Sequence, residues 1–230
     1  MMKIFGKVKK IFEIFVIHCI NIYFNMTHRL KSNQVLFLSD VRDTLCGNLK
    51  VMYDYLDSDY YKKIVLLKAD RRVKRSIGEK LKLIKLLSTS KYILLDDFSN
   101  SISMMIPRKN QEIVQLWHGP GAFKKMGYSR PDKKSGMLSK YASHRNYTKA
   151  IVTSPSIKWC FEEGFGMKKK GVVSATGFPR CDCFFDQDYI QKVKTKFYKE
   201  YPELKGKKLF FLRLLIEELT LRLQIMNLIN

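Results

Sequence analysis

The stretch EIVQLWHGPGAFKKMGYS, residues 112–129, decides the fold that we predict for the chain. Its apolar run ends at Trp117-His118-Gly119, a Pro-Gly turn follows, and a basic segment then begins at Lys124. Open α/β sheets place their chemistry where a strand stops, because small residues at that point let the backbone approach a ligand. The stretch therefore predicts a site at the end of a strand, with His118 at its centre.

Five other apolar runs repeat this pattern along the chain. They are QVLFLSD (34–40), KKIVLLKAD (62–70), KYILLDD (91–97), KAIVTSP (149–155) and KKGVVSATG (169–177). Runs of this length are typical of strands that are buried on both faces, as in parallel sheets. Segments with the periodicity of a helix lie between these runs. Two have apolar residues three or four positions apart, Leu45, Leu49, Met52 and Leu56 in one and Val73, Ile77, Leu81 and Ile84 in the other, and two more follow the Ser154-Pro155 cap and occupy 186–204. This alternation predicts an α/β protein with a mainly parallel, Rossmann-like sheet.

The chain is strongly basic. Lys and Arg number 43 against 21 Asp and Glu, which gives a formal net charge of +22. Such a charge favours an anionic partner: nucleic acid, an anionic bilayer surface or a polyanionic substrate. The basic residues are spread from Lys3 to Arg222, which favours a surface-associated or polyanion-handling protein over a module that reads a nucleic-acid groove. The local concentration at 71–85 is interpreted as a solvated helix face, with a lipid or nucleic-acid contact as the alternative.

Cysteine spacing and short motifs exclude several classes of site. The five cysteines are an odd number without framework spacing, and Cys181-Asp182-Cys183 has no second pair to complete a tetrahedral metal site. We therefore expect reduced thiols in a cytosolic protein. The sequence contains no GxGxxG, no GxxxxGK[ST] and no HExxH. No metal and no cofactor are expected.

Residues 1–33 form a separate basic and apolar segment that we predict to be helical. A secretory signal is not indicated, because Glu13 and His18 interrupt the apolar part and no small-residue cleavage site follows. One helical face collects Phe5, Val8, Ile11, Phe12, Phe15 and Cys19, with lysines among them. That pattern is typical of a helix lying on anionic lipid, and a first helix packed on the core explains it equally well.

His118 is the sharpest candidate for chemistry. Its imidazole titrates near neutrality and can take a proton from a hydroxyl nucleophile. The alternative is a structural histidine that caps the strand. His18 and His28 lie in the N-terminal segment, and His144 is predicted to lie in a polar loop.

A second candidate loop is SATGFPRCDCFF, residues 174–185. The strand ends at Gly177, and Arg180 and Asp182 follow the turn at Pro179. Arg180 offers a planar fork for phosphate or carboxylate. An Arg–Asp pair that braces the loop is the alternative interpretation.

Together, QLWHGPGAFKKMG (115–127) and TGFPRCDCFF (176–185) resemble the CDP-glycerol glycerophosphotransferase family, which builds teichoic-acid-like poly(glycerol phosphate) on bacterial cell envelopes. FLSD and GNLKVMYDYL resemble the first strand and helix of that family, and the similarity extends over roughly residues 34–210. One departure is Cys181, which stands where the family usually has Asn.

The resemblance implies a GT-B-like architecture of two Rossmann-type domains with the active site between them. Residues 34–205 match the N-terminal, acceptor-side domain, and 206–230 are expected to be the start of a second domain that is truncated by a frameshift or an early stop. By itself such a chain is expected to be inactive.

The family reaction transfers glycerol phosphate from CDP-glycerol to a hydroxyl of a membrane-anchored, glycerol-phosphate-primed lipid acceptor. The resemblance places the protein peripherally on the cytoplasmic face of the bacterial membrane. It implies that His118 is the general base and that Trp117, Gly119, Lys124, Arg180 and Asp182 bind substrate or support the site.

The alternative function is a non-catalytic basic α/β protein that binds nucleic acid or another anionic polymer. The net charge supports it, but the sequence has no aromatic–basic RNA-binding signature and no helix-turn-helix pattern. A nucleic-acid partner is therefore not expected.

Overall fold

The structure is a computed structural model that describes residues 2–68, 75–130, 144–168 and 171–207. Its six strands are β1 (Lys31–Ser39), β2 (Lys62–Leu67), β3 (Ser90–Leu95), β4 (Glu112–Gln115), β5 (Lys149–Ile151) and β6 (Val173–Ser174). Its helices are α1 (Met2–Thr27), α2 (Gly47–Tyr55), α3 (Ile77–Thr89), α4 (Asn100–Met104), α5 (Lys158–Gly164) and α6 (Gln187–Glu200). All six predicted runs form strands, and every pairing between them is parallel. The predicted α/β class with a Rossmann-like parallel sheet is confirmed.

The strand order is β2-β1-β3-β4-β5-β6, so β2 lies on one side of β1 and all later strands lie on the other. At such a switch point the loops that leave neighbouring strands run in opposite directions and open a crevice at the carboxyl ends. Asp40 follows β1, and Asp96 and Asp97 follow β3, at this point of the sheet. The topology therefore places polar side chains where a ligand is expected.

Alternate strand residues pack on opposite faces of the sheet. In β1, Leu36 and Leu38 join the core cluster that includes Phe161 of α5. Val35 and Phe37 join the other cluster, which includes Leu49 of α2. Since helices cover both faces, the strands are continuous apolar runs without an alternating polar face.

Helix α3 begins later than the helical spacing suggested. Ser76 and Glu79 form a capping box: the Ser76 Oγ accepts from the Glu79 N–H at 3.3 Å, and the Ser76 N–H donates to Glu79 Oε2 at 2.7 Å. The hydrogen bond from the Ser76 backbone N–H to the carboxylate is the largest cause that lowers the pKa of Glu79. The predicted apolar face is wrong at its start, because Ile77 is 80% exposed and Val73 lies outside the described residues. The buried residues of α3 are Leu83, Ile84, Leu87, Ser88 and Thr89.

Among the described side chains of α1, those buried against the rest of the protein lie on one face of the helix. Ile14 and Asn21 are buried there. The Asn21 Nδ2 donates to Ser88 Oγ at 2.7 Å, and its Oδ1 accepts from the Ile106 N–H at 3.0 Å. Other apolar side chains of the helix are exposed, among them Val8, Ile11, Phe12, Phe15 and Cys19. The helix thus contacts the core through a face different from the one that suggested lipid binding.

Among the residues that the structure describes, no helix combines the length and the apolar character that crossing a bilayer requires.

The chain divides into two compact units, Met1–Asp182 and Cys183–Asn230. The first contains the whole sheet. The second is described as far as residue 207 and contains α6, whose N-cap Asp186 accepts from the Tyr189 N–H at 2.9 Å. The predicted second-domain segment, 206–230, lies outside the described residues apart from its first two positions.

Candidate active site

The turn after β4 has a left-handed backbone at a bulky residue. Trp117 has φ +58°, a conformation that costs a non-glycine residue about 1–3 kcal/mol. The side chain of Gln115, fully buried, holds the turn in place. Its Oε1 accepts from the Trp117 N–H at 2.9 Å, and its Nε2 donates to the Asp97 carbonyl at 3.1 Å. The strand therefore ends in a fixed turn that brings the next residue, His118, to the edge of the sheet.

Asn48, near the start of α2, joins the two candidate loops. Its Nδ2 donates to the carbonyls of Leu116 at 3.2 Å and Trp117 at 2.9 Å. Its Oδ1 accepts from the Arg180 N–H at 3.0 Å. Since Asn48 is only 2% exposed, these hydrogen bonds form away from water. The two loops that suggested the family thus meet at one buried amide.

The His118 ring is held on two sides. Its Nδ1 lies 3.1 Å from the backbone carbonyl of Asp96 and 3.7 Å from Oδ2 of Asp97. The Trp117 ring lies beside it, with centroids 4.4 Å apart. Because a carbonyl oxygen only accepts hydrogen bonds, we assign the neutral ring's proton to Nδ1, which leaves Nε2 with a free lone pair.

Two arginine–carboxylate pairs lie at the ends of β1 and β3. The Arg42 Nε donates to Asp96 Oδ2 at 2.6 Å, and the Arg75 guanidinium donates to Asp40 Oδ1 at 2.6 Å. Burial disfavours the charged form of Arg42, but the hydrogen bond and the charge of Asp96 outweigh it and raise the pKa of Arg42. Both pairs fix charge at the carboxyl edge of the sheet.

The arrangement suits proton transfer from a hydroxyl group. The His118 side chain is 31% exposed, so a substrate can reach it, and the Asp97 carboxylate can stabilise the charge that the ring gains with a proton. Within the described ranges, no group of His, Cys, Asp and Glu is placed to hold a metal ion.

The structure brings some of the predicted site residues together. Trp117, His118 and Gly119 share the turn after β4, and the backbone of Arg180 reaches the same turn through Asn48. The Arg180 guanidinium lies 5.2 Å from the centre of the Phe178 ring. Two predicted residues, Lys124 and Asp182, are exposed, and among the described residues neither makes a hydrogen bond or ion pair with His118.

Sequence reasoning missed Asn48, Gln115 and Asp97. Asn48 stands in GNLKVMYDYL, and Asp97 ends the run KYILLDD, but neither pattern indicates which loop the side chain contacts. The strand order supplies that information. A polar residue after each central strand of a parallel sheet was the available signal.

His144 lies in the loop before β5, as the sequence predicted, but it is buried there. It is 7% exposed, its Nδ1 lies 2.8 Å from the Tyr147 hydroxyl, and its ring packs 4.8 Å from the ring of Phe165 and 5.4 Å from that of Trp117. These aromatic side chains bury it. His144 therefore packs against the ring of Trp117.

A parallel sheet with this strand order, and with a histidine and paired charges gathered at its carboxyl edge, defines a Rossmann-like ligand-binding domain of an α/β protein. The family model for CDP-glycerol:poly(glycerophosphate) glycerophosphotransferases matches residues 20–212. The chain belongs to this family, and the resemblance drawn from its two motifs is confirmed.

Curated relatives of the chain act in teichoic acid synthesis. The teichoic acid ribitol-phosphate polymerase TarL of Staphylococcus aureus is 41% identical over 192 residues, which is 80% of this chain and 34% of that protein. The teichoic acid ribitol-phosphate primase of Bacillus spizizenii is 36% identical over 191 residues, 78% of this chain and 48% of that protein. The chain thus spans about a third to a half of the length of these relatives.

Solved structures of the wall teichoic acid polymerase TagF share the fold. One has a TM-score of 0.59 at 14% identity and covers 87% of this chain and 53% of that one. Another has a TM-score of 0.56 at 16% identity, with 84% and 54% covered. At this identity the likeness concerns the fold alone.

Proposed function

We propose that this chain forms the acceptor-side domain of a teichoic acid polyol-phosphate transferase in which His118 is the general base. The observation that carries the proposal is the 3.1 Å contact between His118 Nδ1 and the Asp96 carbonyl. That contact orients the ring and leaves Nε2 free to accept a proton. Family membership provides the reaction class, transfer of a phosphate-linked polyol from a CDP-activated donor.

In the proposed step, the oxygen of an acceptor hydroxyl attacks the β-phosphorus of the donor, and His118 Nε2 takes the proton of that hydroxyl. A new P–O bond forms, the bond between the two phosphates breaks, and CMP leaves. Such a transfer depends mainly on positioning and on neutralising phosphate charge. Arg180, whose backbone N–H donates to Asn48 and whose side chain is exposed, is the proposed phosphate contact.

The donor is proposed as a class, CDP-polyols. The resemblance in the sequence implied CDP-glycerol, whereas the curated relatives named above are ribitol-phosphate enzymes. We therefore propose that the transferred unit is either ribitol phosphate or glycerol phosphate. The acceptor is a lipid-anchored molecule primed with the same polyol phosphate.

We propose that catalytic turnover requires a protein as long as the relatives. The matched region is only part of each relative. We expect the 230 residues alone to release no CMP, because a cleft enzyme needs both walls to hold its donor and exclude water.

A chimera tests the proposal. Residues 20–212 of this chain replace the matched region of the S. aureus TarL protein, and CMP release is measured with CDP-ribitol or CDP-glycerol and a primed lipid acceptor. His118→Ala is expected to lower the rate about 10²–10⁴-fold, the usual contribution of a general base.

The matched control is His28→Ala, which removes a histidine at the end of α1 whose Nδ1 contacts Thr27 Oγ1. It is expected to leave the rate unchanged. An active chimera that is unaffected by His118→Ala would reject the role of His118. If the chimera is inactive and the chain binds anionic polymer with a log-linear salt dependence, the alternative of a basic binding protein replaces the proposal.

We also propose that the protein binds peripherally to the cytoplasmic face of the membrane through α1. The exposed apolar positions Val8, Phe12, Phe15, Cys19, Ile22 and Met26 recur every three or four residues, as one helical stripe requires. With the net charge of +22, this stripe supports binding to anionic lipid.

Sedimentation with phosphatidylglycerol vesicles tests the membrane proposal. The double variant Phe12→Glu, Phe15→Glu is expected to lose most vesicle binding. Tyr55→Glu, at an 84% exposed position of α2, is the control that should keep it. Equal binding by both variants would reject α1 as the membrane contact.

A further inference from the structure

A groove of about 720 Å³ lies between α1 and α3 and extends to the carboxyl ends of β1 and β2. At the C-terminal end of α1 the two helices are joined by the hydrogen bond from Asn21 to Ser88. Towards their N-terminal ends the groove separates them, with Phe12 on one side and Leu81 on the other. Its volume is within the usual range of ligand pockets, roughly 300–1,000 Å³.

Most of the groove is apolar. Its lining includes aliphatic side chains of α1 and α3, among them Ile17, Ile20 and Ile84, and also Phe98 and Met104. An apolar groove between two helices is suited to a hydrocarbon chain.

The polar groups of the groove are concentrated near the strand ends. Lys68, Arg75 and Lys80 line this part, together with Asp40. The charge of Asp40 is already engaged by Arg75 at 2.6 Å, and its second oxygen accepts from the Ser99 hydroxyl at 2.6 Å. Even with Glu13 on the α1 wall, the lining has more cations than carboxylates, which favours an anionic head group.

The groove leads to the candidate active site. Phe98 lines it, and the preceding residue, Asp97, lies 3.7 Å from His118 Nδ1. At its other end Phe12, which is 66% exposed, belongs both to the groove wall and to the apolar stripe of α1. The groove therefore has one lining residue in the proposed membrane contact and another that adjoins the carboxylate beside His118.

We propose that this groove binds one hydrocarbon chain of the lipid that anchors the acceptor, with the lipid phosphate at Lys68 and Lys80. The proposal rests on the proposed function, since it identifies which part of the acceptor binds where. A chain in the groove holds the head of the acceptor beside His118 while the protein stays on the membrane surface. The groove thus converts membrane binding into positioning of the attacking hydroxyl.

Calorimetric titration of the full 230-residue chain with farnesyl phosphate, a single-chain phosphate lipid, tests the proposal. The wild-type protein is expected to bind it with a negative heat-capacity change, the mark of apolar burial. Inorganic phosphate alone is expected to give no measurable heat. Absence of farnesyl phosphate binding would overturn the proposal.

Obstruction of the groove gives the sharper result. Leu81→Trp, at a position 40% exposed on the groove wall, is expected to weaken binding about tenfold or more. The double variant Lys68→Ala, Lys80→Ala is expected to weaken it by about tenfold through loss of the charged contacts. Thermal melts check that each variant is folded, and Ile77→Trp, at an 80% exposed groove position, obstructs the same groove if Leu81→Trp does not fold.

The matched control is Phe15→Ala, which removes an aromatic ring from the exposed stripe outside the groove. It should bind farnesyl phosphate within about twofold of wild type, since such surface changes have small effects. Loss of binding in Phe15→Ala, or unchanged binding in the obstructed variants, would show adsorption to the surface and overturn the proposal.

Dihexanoyl phosphatidylglycerol, a two-chain lipid, should bind at least about tenfold more weakly, and equal binding would assign the groove to bulk lipid and contradict the acceptor assignment.

The outcome is separable from that of the transferase proposal. His118→Ala should bind farnesyl phosphate as wild type does, because that side chain does not line the groove. A groove that binds the lipid in a protein whose chimera has no transferase activity would reject the proposed function alone. Groove variants that bind normally, with an active chimera, would reject only the lipid site.

Discussion

The loops after β4 and β6 reach the same edge of the sheet, but the structure holds them differently. Trp117, in the first loop, is 6% exposed, and its N–H and carbonyl are both engaged by buried amide side chains. In the second loop, Arg180 donates its backbone N–H to Asn48, while its side chain and that of Asp182 are exposed. The first loop presents a buried aromatic ring beside its histidine, and the second presents an exposed guanidinium.

This difference separates two roles within one site. A general base works best when its ring is oriented before the substrate arrives, and the turn at Trp117 orients His118 in that way. The exposed guanidinium of Arg180 offers a planar fork that matches phosphate. We therefore assign preorganisation of the base to the loop after β4 and the phosphate contact to the loop after β6.

The largest expected effect is on stability, from Asn48→Ala. The substitution removes three hydrogen bonds and leaves the carbonyls of Leu116 and Trp117 without their buried donor. We expect a loss of about 2–4 kcal/mol in the free energy of unfolding, measured by urea denaturation. The control Asn33→Ala removes one exposed hydrogen bond, to the Tyr60 carbonyl, and should cost less than about 1 kcal/mol. Equal losses would show that the junction does not hold the loops.

The next effect is on substrate binding, from Arg180→Ala. Loss of a charge-assisted phosphate contact is expected to raise the KM of the chimera about tenfold or more, while the urea midpoint of the 230-residue chain is unchanged. Arg180→Lys should recover part of the loss, because it keeps the charge without the planar fork. A drop in stability with unchanged KM would mean that Arg180 only braces its loop.

A smaller effect is expected from Asp97→Asn, which removes the charge 3.7 Å from His118. Both side chains are partly exposed, so the interaction amounts to about 1 kcal/mol and the kcat of the chimera should fall about fivefold with little change in KM. Asp54→Asn, which removes an exposed partner of Lys50, is the charge-matched control. A pure KM effect would contradict a positioning role for Asp97.

The smallest effects are expected at Lys124 and Asp182, two predicted residues that are exposed and to which we assign no contact with the substrate. Lys124→Ala and Asp182→Ala should each change the free energy of unfolding by less than about 0.5 kcal/mol, as surface substitutions usually do. The melting temperature and the kcat of the chimera should both stay at the wild-type value. A large loss of kcat from either variant would give that exposed residue a catalytic role and contradict the roles assigned to the two loops.

Much of the fold was predictable because parallel strands that are buried on both faces leave continuous apolar runs. Each such run in the sequence forms a strand, and β4 ends just before Trp117-His118, as its sequence indicated. The start of α3 was less predictable, since helical spacing continues before Ser76, where the capping box with Glu79 decides the helix start.

The site was predictable only in part. The position of His118 at a strand end was visible in the sequence, because turn residues follow it directly. The residues that hold it were not, since Asn48 reaches the turn before it, and Asp97 its ring, only through a strand order that places distant loops side by side. The burial of His144 by Tyr147 and Phe165 likewise depends on tertiary packing that the polar residues before it do not reveal.

The central claim is that His118 is held as a base with its proton on Nδ1. Proton–nitrogen correlation spectra of the chain labelled with ¹⁵N in its four histidines, at a pH where the ring is neutral, measure the tautomer directly. Comparison with the spectrum of His118→Ala assigns the resonance. The structure predicts the Nδ1–H form with an unprotonated Nε2, whereas a predominant Nε2–H form would contradict the contact with the Asp96 carbonyl and the role built on it.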